Sequence, residues 1–136
     1  MGFIESAFNE VKEEVLAPVD TMHDMRIVQV ERGLESKGEG KTGIKFPMVR
    51  CMIRVEGPED YEPIFHYIVY PTPELKEQDA EVWRMMARGV LRFCTLFGVK
   101  AEEDLDGATA RGFVVHEERE DGSLVAQVKI PRMGKE

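Results

Sequence analysis

Cysteine is scarce in this sequence of 136 residues, and a long apolar run is missing altogether. The two cysteines, Cys51 and Cys94, lie in apolar strand and helix patterns, so we expect buried free thiols rather than a disulfide. The apolar runs fall short of the roughly 18 to 20 residues that a membrane-spanning helix requires. The first residues do not have the basic start and apolar centre of a secretory signal, which predicts a soluble protein of the cytoplasm.

Motifs for catalysis and for metal or nucleotide binding are also missing. The histidines His23, His66 and His116 fall in separate predicted elements, and no cysteine–histidine spacing is typical of a metal site. Residues 40–42 resemble the end of a phosphate-binding loop, but Glu35 stands where that motif needs its first glycine, and a strand follows instead of a helix. We therefore predict a protein that is not an enzyme and that needs neither a cofactor nor a metal.

Acidic residues outnumber basic residues, 26 to 18, which gives a formal net charge of −8. This balance argues at first against nucleic acid, because phosphate contacts need cations. The cations are nevertheless concentrated: residues 25–55 hold seven Lys and Arg against three Asp and Glu, and residues 82–100 hold four against none. Because salt screens charges over about 8 to 10 Å, a local basic groove can coexist with a distant acidic surface. The alternative interpretation is that these Lys and Arg residues are ordinary charges on a solvated surface.

Residues 3–16 carry apolar side chains at helical spacing, with the glutamates mostly off that stripe, up to Pro18. The stripe consists of Phe3, Ile4, Ala7, Phe8, Val11 and Val15. We predict an amphipathic helix that packs on the domain, with a docking or dimerising arm as the alternative. Residues 1–24 are assigned to this helix and a linker, and residues 25–136 to one folded domain.

Three strands are predicted in the basic stretch that follows. The first covers residues 25–31, and a loop rich in glycine and lysine covers residues 36–43. In residues 48–55 the side chains alternate, so that Arg50 and Arg54 point away from the core together with two methionines. Residues 64–70 carry aromatic side chains on both faces, and a register error of one residue exchanges those faces.

A helix and a hairpin are predicted in the second half. Thr72 before Pro73 is typical of a helix start, Asp79 of a second start, and Gly98 of the end. The apolar stripe of this helix predicts a core contact; it consists of Val82, Met85, Met86, Gly89, Val90, Phe93, Leu96 and Phe97. Residues 112–118 and 124–130 predict two strands, with Leu124, Ala126, Val128 and Ile130 facing inward.

The predicted fold class is mainly β with α. Five strands with a helix between the third and the fourth are typical of the OB-fold, a small Greek-key barrel. In this sequence an N-terminal amphipathic helix precedes the barrel. A swapped or split αβ sandwich is the competing topology.

Several segments carry a resemblance to a known family. They are the loop and strand of residues 41–55, the strand of residues 65–71 that ends in prolines, the helix end at residues 92–98, Leu105-Asp106-Gly107, and the turn Glu120-Asp121-Gly122. Together they resemble the OB-fold single-stranded DNA-binding proteins of bacteriophages over about residues 25 to 132. Many proteins of that group end in an acidic tail that recruits partners, whereas this sequence ends in Arg132-Met133-Gly134-Lys135-Glu136.

The resemblance implies that single-stranded DNA binds across the second and third strands, beside the loop between the first two. The residues at those positions are Lys37, Lys41, Lys45, Phe46, Arg50, Arg54, Phe65, Tyr67 and Tyr70. It also implies a role in phage DNA replication or recombination, with replication or recombination proteins as partners and the host cytoplasm as the location. No membrane contact is expected, and exposed strand edges favour a possible homodimer. The alternative function is an OB-fold interaction module that modulates a host or replication partner.

Overall fold

The computed structural model of the chain describes residues 14–38 and 43–131. Its strands are β1 (His23–Glu35), β2 (Pro47–Val55), β3 (Ile64–Val69), β4 (Thr109–Gly112), β5 (Val114–Glu118) and β6 (Leu124–Val128). Its helices are α1 (Pro73–Gln78) and α2 (Ala80–Leu96), and a short 3-10 helix covers Glu102–Asp104. The protein is therefore mainly β, with its helices between β3 and β4.

The strands form two antiparallel sheets. The larger is curled and has the order β3-β2-β1-β4, and the smaller is the hairpin of β5 and β6. Strand β1 is longer than predicted and carries two irregularities, one between Ile27 and Gln29 and one between Glu31 and Leu34. Bulges of this kind bend a strand and increase its twist, which helps to curl the sheet.

The structure has six strands in the part of the chain that it describes, where the sequence predicted five. The difference lies at Phe113, which separates β4 from β5. Strand β4 pairs with the start of β1, whereas β5 pairs with β6. The backbone changes its pairing partner at this residue, and side-chain alternation gives no signal for such a change.

The core lies between the inner face of the larger sheet and the end of α2. The alternation predicted for β2 is confirmed, since Val49, Cys51, Ile53 and Val55 are all buried. Both cysteines are free thiols, as expected, but only Cys51 is buried, whereas Cys94 is partly exposed. From α2, Phe93 is fully buried and stacks on His66 of β3, with the ring centroids 4.0 Å apart and the planes 4° from parallel. Stacking of this kind ties the helix to the third strand.

Both predicted helix starts are confirmed. The Thr72 hydroxyl accepts a hydrogen bond from the Leu75 amide at 3.3 Å, and the Asp79 carboxylate accepts one from the Val82 amide at 3.2 Å. The helix ends before Gly98, which has a φ of +66°.

The prediction that the whole apolar stripe of α2 is core is wrong in its first half. Met85 is 63% exposed, and Val82 is exposed as well, whereas Phe93 and Phe97 are buried. In the last strand Leu124 is also exposed rather than inward, although Ala126 and Val128 are buried. The apolar spacing of α2 and of β6 therefore does not show which of their residues the rest of the domain covers.

Hydrogen bonds hold the segment that precedes β1 against the rest of the domain. Val15 forms a parallel bridge with Tyr61. The imidazoles of His116 and His23 each lie 2.8 Å from a backbone carbonyl oxygen, those of Ala17 and Pro18. Each ring must donate its Nε2 proton there. The amphipathic helix predicted for residues 3–16 lies, up to residue 13, outside the described residues.

Candidate nucleic-acid interface

The outward face of β1, β2 and β3 carries half of the described residues that the sequence predicts as a binding site, namely Arg50, Arg54, Phe65 and Tyr67. The strand pairing places Arg50 beside Tyr67, and Met52 beside Phe65. Phe65 is 38% exposed and Tyr67 48% exposed, while Ile64 and Ile68 of the same strand are buried. The register that the sequence left open is therefore settled, with both rings on the same side of the sheet as the arginines. We call this surface the outer face.

Arg50 lies at the centre of the outer face and has two partners. Its guanidinium carbon is 5.0 Å from the centroid of the Phe65 ring, a distance typical of a cation–π contact. Its Nη2 atom lies 3.0 Å from Oε1 of Glu31, which is the residue opposite it on β1. The guanidinium thus contacts an aromatic ring and, among the described residues, is paired with one carboxylate.

Tyr70 does not join the outer face. It lies beyond the end of β3, packs against the core, and donates a hydrogen bond of 2.8 Å from its hydroxyl to Oε1 of Glu102. Burial and this carboxylate raise the pKa of Tyr70 well above its ordinary value. The sequence prediction that groups Tyr70 with Phe65 and Tyr67 therefore disagrees with the geometry.

Arg32 shares the carboxylate that Tyr70 contacts. Its Nε atom donates to Glu102 at 3.1 Å, and its Nη2 atom donates to Asp106 at 2.7 Å and to the Glu102 carbonyl at 3.2 Å. The hydrogen bond from Arg32 lowers the pKa of Asp106 and raises that of Arg32. This arginine connects β1 to the 3-10 helix, and its Nε and Nη2 donors are taken up within the protein.

The base of the loop between β1 and β2 brings two predicted lysines together. The Ser36 amide donates to the Phe46 carbonyl at 2.9 Å, and the Phe46 amide donates to the Ser36 hydroxyl at 2.8 Å. These bonds place Lys37 and Lys45 on neighbouring stretches of backbone, next to the end of the outer face where β2 begins. Both side chains are exposed. Phe46 is half-buried between them. The predicted residue Lys41 lies outside the described residues.

The far end of the outer face carries a pair of arginines, one of which the sequence prediction omitted. Arg26 of β1 lies directly opposite Arg54 of β2, and both are exposed. Like charges at opposite positions repel each other, so an anion between them is favoured. Among residues 14–38 and 43–131, neither arginine has an ion pair, and the same holds for Lys37 and Lys45.

Carboxylates limit the basic surface beyond Arg54. A cavity of about 470 Å³ is lined by Arg54 together with Glu14, Glu56, Glu59 and Asp60. None of these carboxylates forms an ion pair with Arg54. The cations therefore occupy a strip that runs from the Lys37 and Lys45 end to the Arg26 and Arg54 end, with the aromatic rings alongside its middle.

Sequence reasoning missed the contribution of β1 to the outer face. Arg26, Gln29 and Glu31 lie opposite Arg54, Met52 and Arg50. The irregularity at Val28 interrupts the alternation of β1, and for this reason its outward residues do not form a simple pattern in the sequence.

Other classes of site are less well supported by the geometry. Among the described residues there is no group of three or more His, Cys, Asp or Glu side chains that could hold a metal ion. In the same part of the chain, no helix is both long enough and apolar enough to cross a membrane.

Comparison of this chain with models of protein families, with curated proteins and with solved structures gave no match.

Proposed function

We propose that the protein binds single-stranded DNA without catalysis, along the outer face of β1, β2 and β3. The observation that carries this proposal is the interleaving of cations and aromatic rings on one exposed surface of an acidic protein. Proteins that bind single strands combine a basic groove for the phosphates with rings on which bases stack. Here Phe65 and Tyr67 supply exposed rings, and the arginines and lysines of the strip supply the charge.

The fold that we propose for this function is the OB-fold. Only Phe113 separates β4 from β5, so the two count as a single bent strand, and the total becomes five. In that count the fourth strand pairs with β1 at one end and with β6 at the other, and β6 lies near β3. The helices between β3 and β4 support the same assignment. A role in phage DNA replication or recombination follows from the same resemblance.

The first test is a fluorescence titration with a labelled oligonucleotide at 50 and at 200 mM salt. The strip has four cations without an ion pair in the described part of the chain, Lys37, Lys45, Arg26 and Arg54. They give a slope of log affinity against log salt of about −3 if each neutralises one phosphate. Affinity should then fall about 50-fold between the two salt concentrations. Absence of binding to every DNA and RNA single strand at 50 mM salt would refute the proposal.

A double variant tests whether the DNA binds on the outer face. Lys45→Ala with Arg54→Ala removes one cation from each end of the strip, and we expect a salt slope shallower by about 1.4 and roughly tenfold weaker binding at low salt. Arg84→Ala with Arg88→Ala is the matched control, because it removes two exposed arginines from α2 and changes the net charge equally. Equal losses in both double variants would show that bulk charge, and not the outer face, attracts the DNA.

A second candidate function is a protein-interaction module, and the exposed side of α2 favours it. Met85 is 63% exposed and Leu91 is 55% exposed, beside the exposed arginines Arg84 and Arg88. Large apolar side chains left exposed on a helix can mark a docking surface. For this function we expect a partner that is retained at high salt by the wild-type protein and lost with Met85→Glu and Leu91→Glu. Oligonucleotide affinity together with no such partner argues against it.

A further inference from the structure

We propose that Glu31 is an internal competitor for nucleic-acid phosphate at Arg50 and thereby sets the affinity of the outer face. The inference rests on the proposed function, because it identifies a carboxylate that weakens that same site. Glu31 and Arg50 are opposite each other in the pairing of β1 with β2, and Oε1 of Glu31 lies 3.0 Å from Nη2 of Arg50. A phosphate oxygen approaching Arg50 would compete for the same donor group.

The pair is accessible enough for this exchange. The side chain of Arg50 is 38% exposed, and that of Glu31 is 47% exposed. Exposed ion pairs contribute only about 0 to 1 kcal/mol, so a multivalent polyanion can displace the carboxylate at little cost. The pair also limits the number of free cations on the strip, because it neutralises the one arginine that lies between the two ends.

Comparison with Arg32 explains why Arg50 can exchange its partner. Arg32 donates to Glu102 and Asp106 and also to a backbone carbonyl, so its release would break three hydrogen bonds. Among the described residues Arg50 pairs with a single carboxylate, and its guanidinium carbon also lies 5.0 Å from the centroid of the Phe65 ring. When Glu31 leaves, the ring contact still holds Arg50 in place. The guanidinium can then bind phosphate without changing its position.

The geometry assigns opposite effects to the two members of the pair. Removal of Arg50 deletes the cation for which Glu31 and phosphate compete, whereas removal of the Glu31 charge leaves that cation to phosphate alone. Glu31→Gln keeps the size and an acceptor oxygen while it deletes the charge. We expect this variant to bind a single-stranded oligonucleotide roughly threefold to tenfold more tightly at low salt. Its salt slope should be steeper by about 0.7, because one more cation neutralises a phosphate.

The experiment compares four proteins with the wild type by oligonucleotide titration over a series of salt concentrations. The first is Glu31→Gln, and the second is the matched control Glu117→Gln, which makes the same change at an exposed position in β5 of the other sheet. The third protein is Arg50→Ala, and the fourth combines Arg50→Ala with Glu31→Gln. In the Arg50→Ala background we expect the Glu31 substitution to leave the salt slope unchanged, because the cation that it frees is no longer present.

The outcomes separate this inference from the proposed function. If the wild-type protein binds and Glu31→Gln binds no more tightly than Glu117→Gln, the competitor role of Glu31 is wrong and the DNA-binding function stands. The competitor role is equally wrong if Glu31→Gln steepens the salt slope even without Arg50. If neither the wild type nor any of the four variants binds an oligonucleotide at low salt, both proposals are overturned. A gain in affinity with a steeper slope, seen only when Arg50 is present, supports the inference.

Discussion

Replacement of Phe65 and Tyr67 together by alanine should weaken the binding of a single-stranded oligonucleotide by about 30-fold or more. Each base that stacks on an aromatic ring contributes about 1 to 3 kcal/mol, so the loss of two rings removes at least about 2 kcal/mol. The rings are 38% and 48% exposed, and they lie beside Met52 and Arg50 on the outer face. The measurement is a fluorescence titration at a single low salt concentration.

The same double variant should keep its melting temperature almost unchanged, because both rings project away from the buried side of β3. Phe113→Ala is the matched control: Phe113 is 37% exposed, almost the same as Phe65, but it lies at the junction of β4 and β5. We expect this control to bind as the wild type does. Undiminished binding by the double variant, or an equal loss in the control, would contradict a stacking role for these two rings.

The strand that carries the arginines could be predicted from the sequence because its alternation is simple. Four apolar residues in β2 alternate with four long side chains, and burial follows that pattern at every apolar position. The faces of β3 could not be decided in the same way, because Phe65, Tyr67 and Tyr70 are all aromatic and the strand is apolar on both sides. Only the pairing with β2 places Phe65 and Tyr67 outward.

The partners of the predicted cations could not be foreseen, because they depend on contacts distant in the sequence. Glu31 lies opposite Arg50 because the irregularity between Ile27 and Gln29 shifts the register of β1 against β2 by one residue. Tyr70 meets Glu102 across 32 residues of sequence. The sequence therefore predicts which residue types can build a basic and aromatic surface, while the register determines which of them are free to bind.

Helix α2 illustrates a different limit of prediction from the sequence. Its apolar spacing correctly predicts a helix, and the two caps at Thr72 and Asp79 were predicted at the right residues. Periodicity identifies the side of a helix that is apolar, but it gives no information on which residues of that side the neighbouring strands cover. Phe93 stacks on His66 and is buried, whereas Met85 of the same stripe is exposed. The exposed apolar residues of this helix, Met85 and Leu91, are those on which the second candidate function rests.

Acidification should destabilise the protein through His66 before the carboxylates protonate. His66 faces the core side of β3 and stacks on the buried ring of Phe93. Burial lowers the pKa of His66 from 6.5 to about 4, because the charged imidazolium loses its hydration there. In the unfolded chain the pKa returns to about 6.5. Between these two values the unfolded state binds a proton that the folded state does not, so the free energy of unfolding falls as the pH falls.

The expected loss is at most about 3 kcal/mol between pH 6.5 and pH 4, and urea unfolding at several pH values measures it. Well above pH 6.5 the imidazole is neutral in both states, so stability should not depend on this group there. His66→Phe is the informative variant, because it keeps a ring against Phe93, and a cavity of about 220 Å³ beside His66 gives the larger ring room. The other titrating groups are common to both proteins, so subtraction of the two pH profiles isolates His66. Parallel profiles for the wild type and the variant between pH 6.5 and pH 4 would mean that His66 accepts its proton in the folded state, and that its stack with Phe93 does not exclude the charged form.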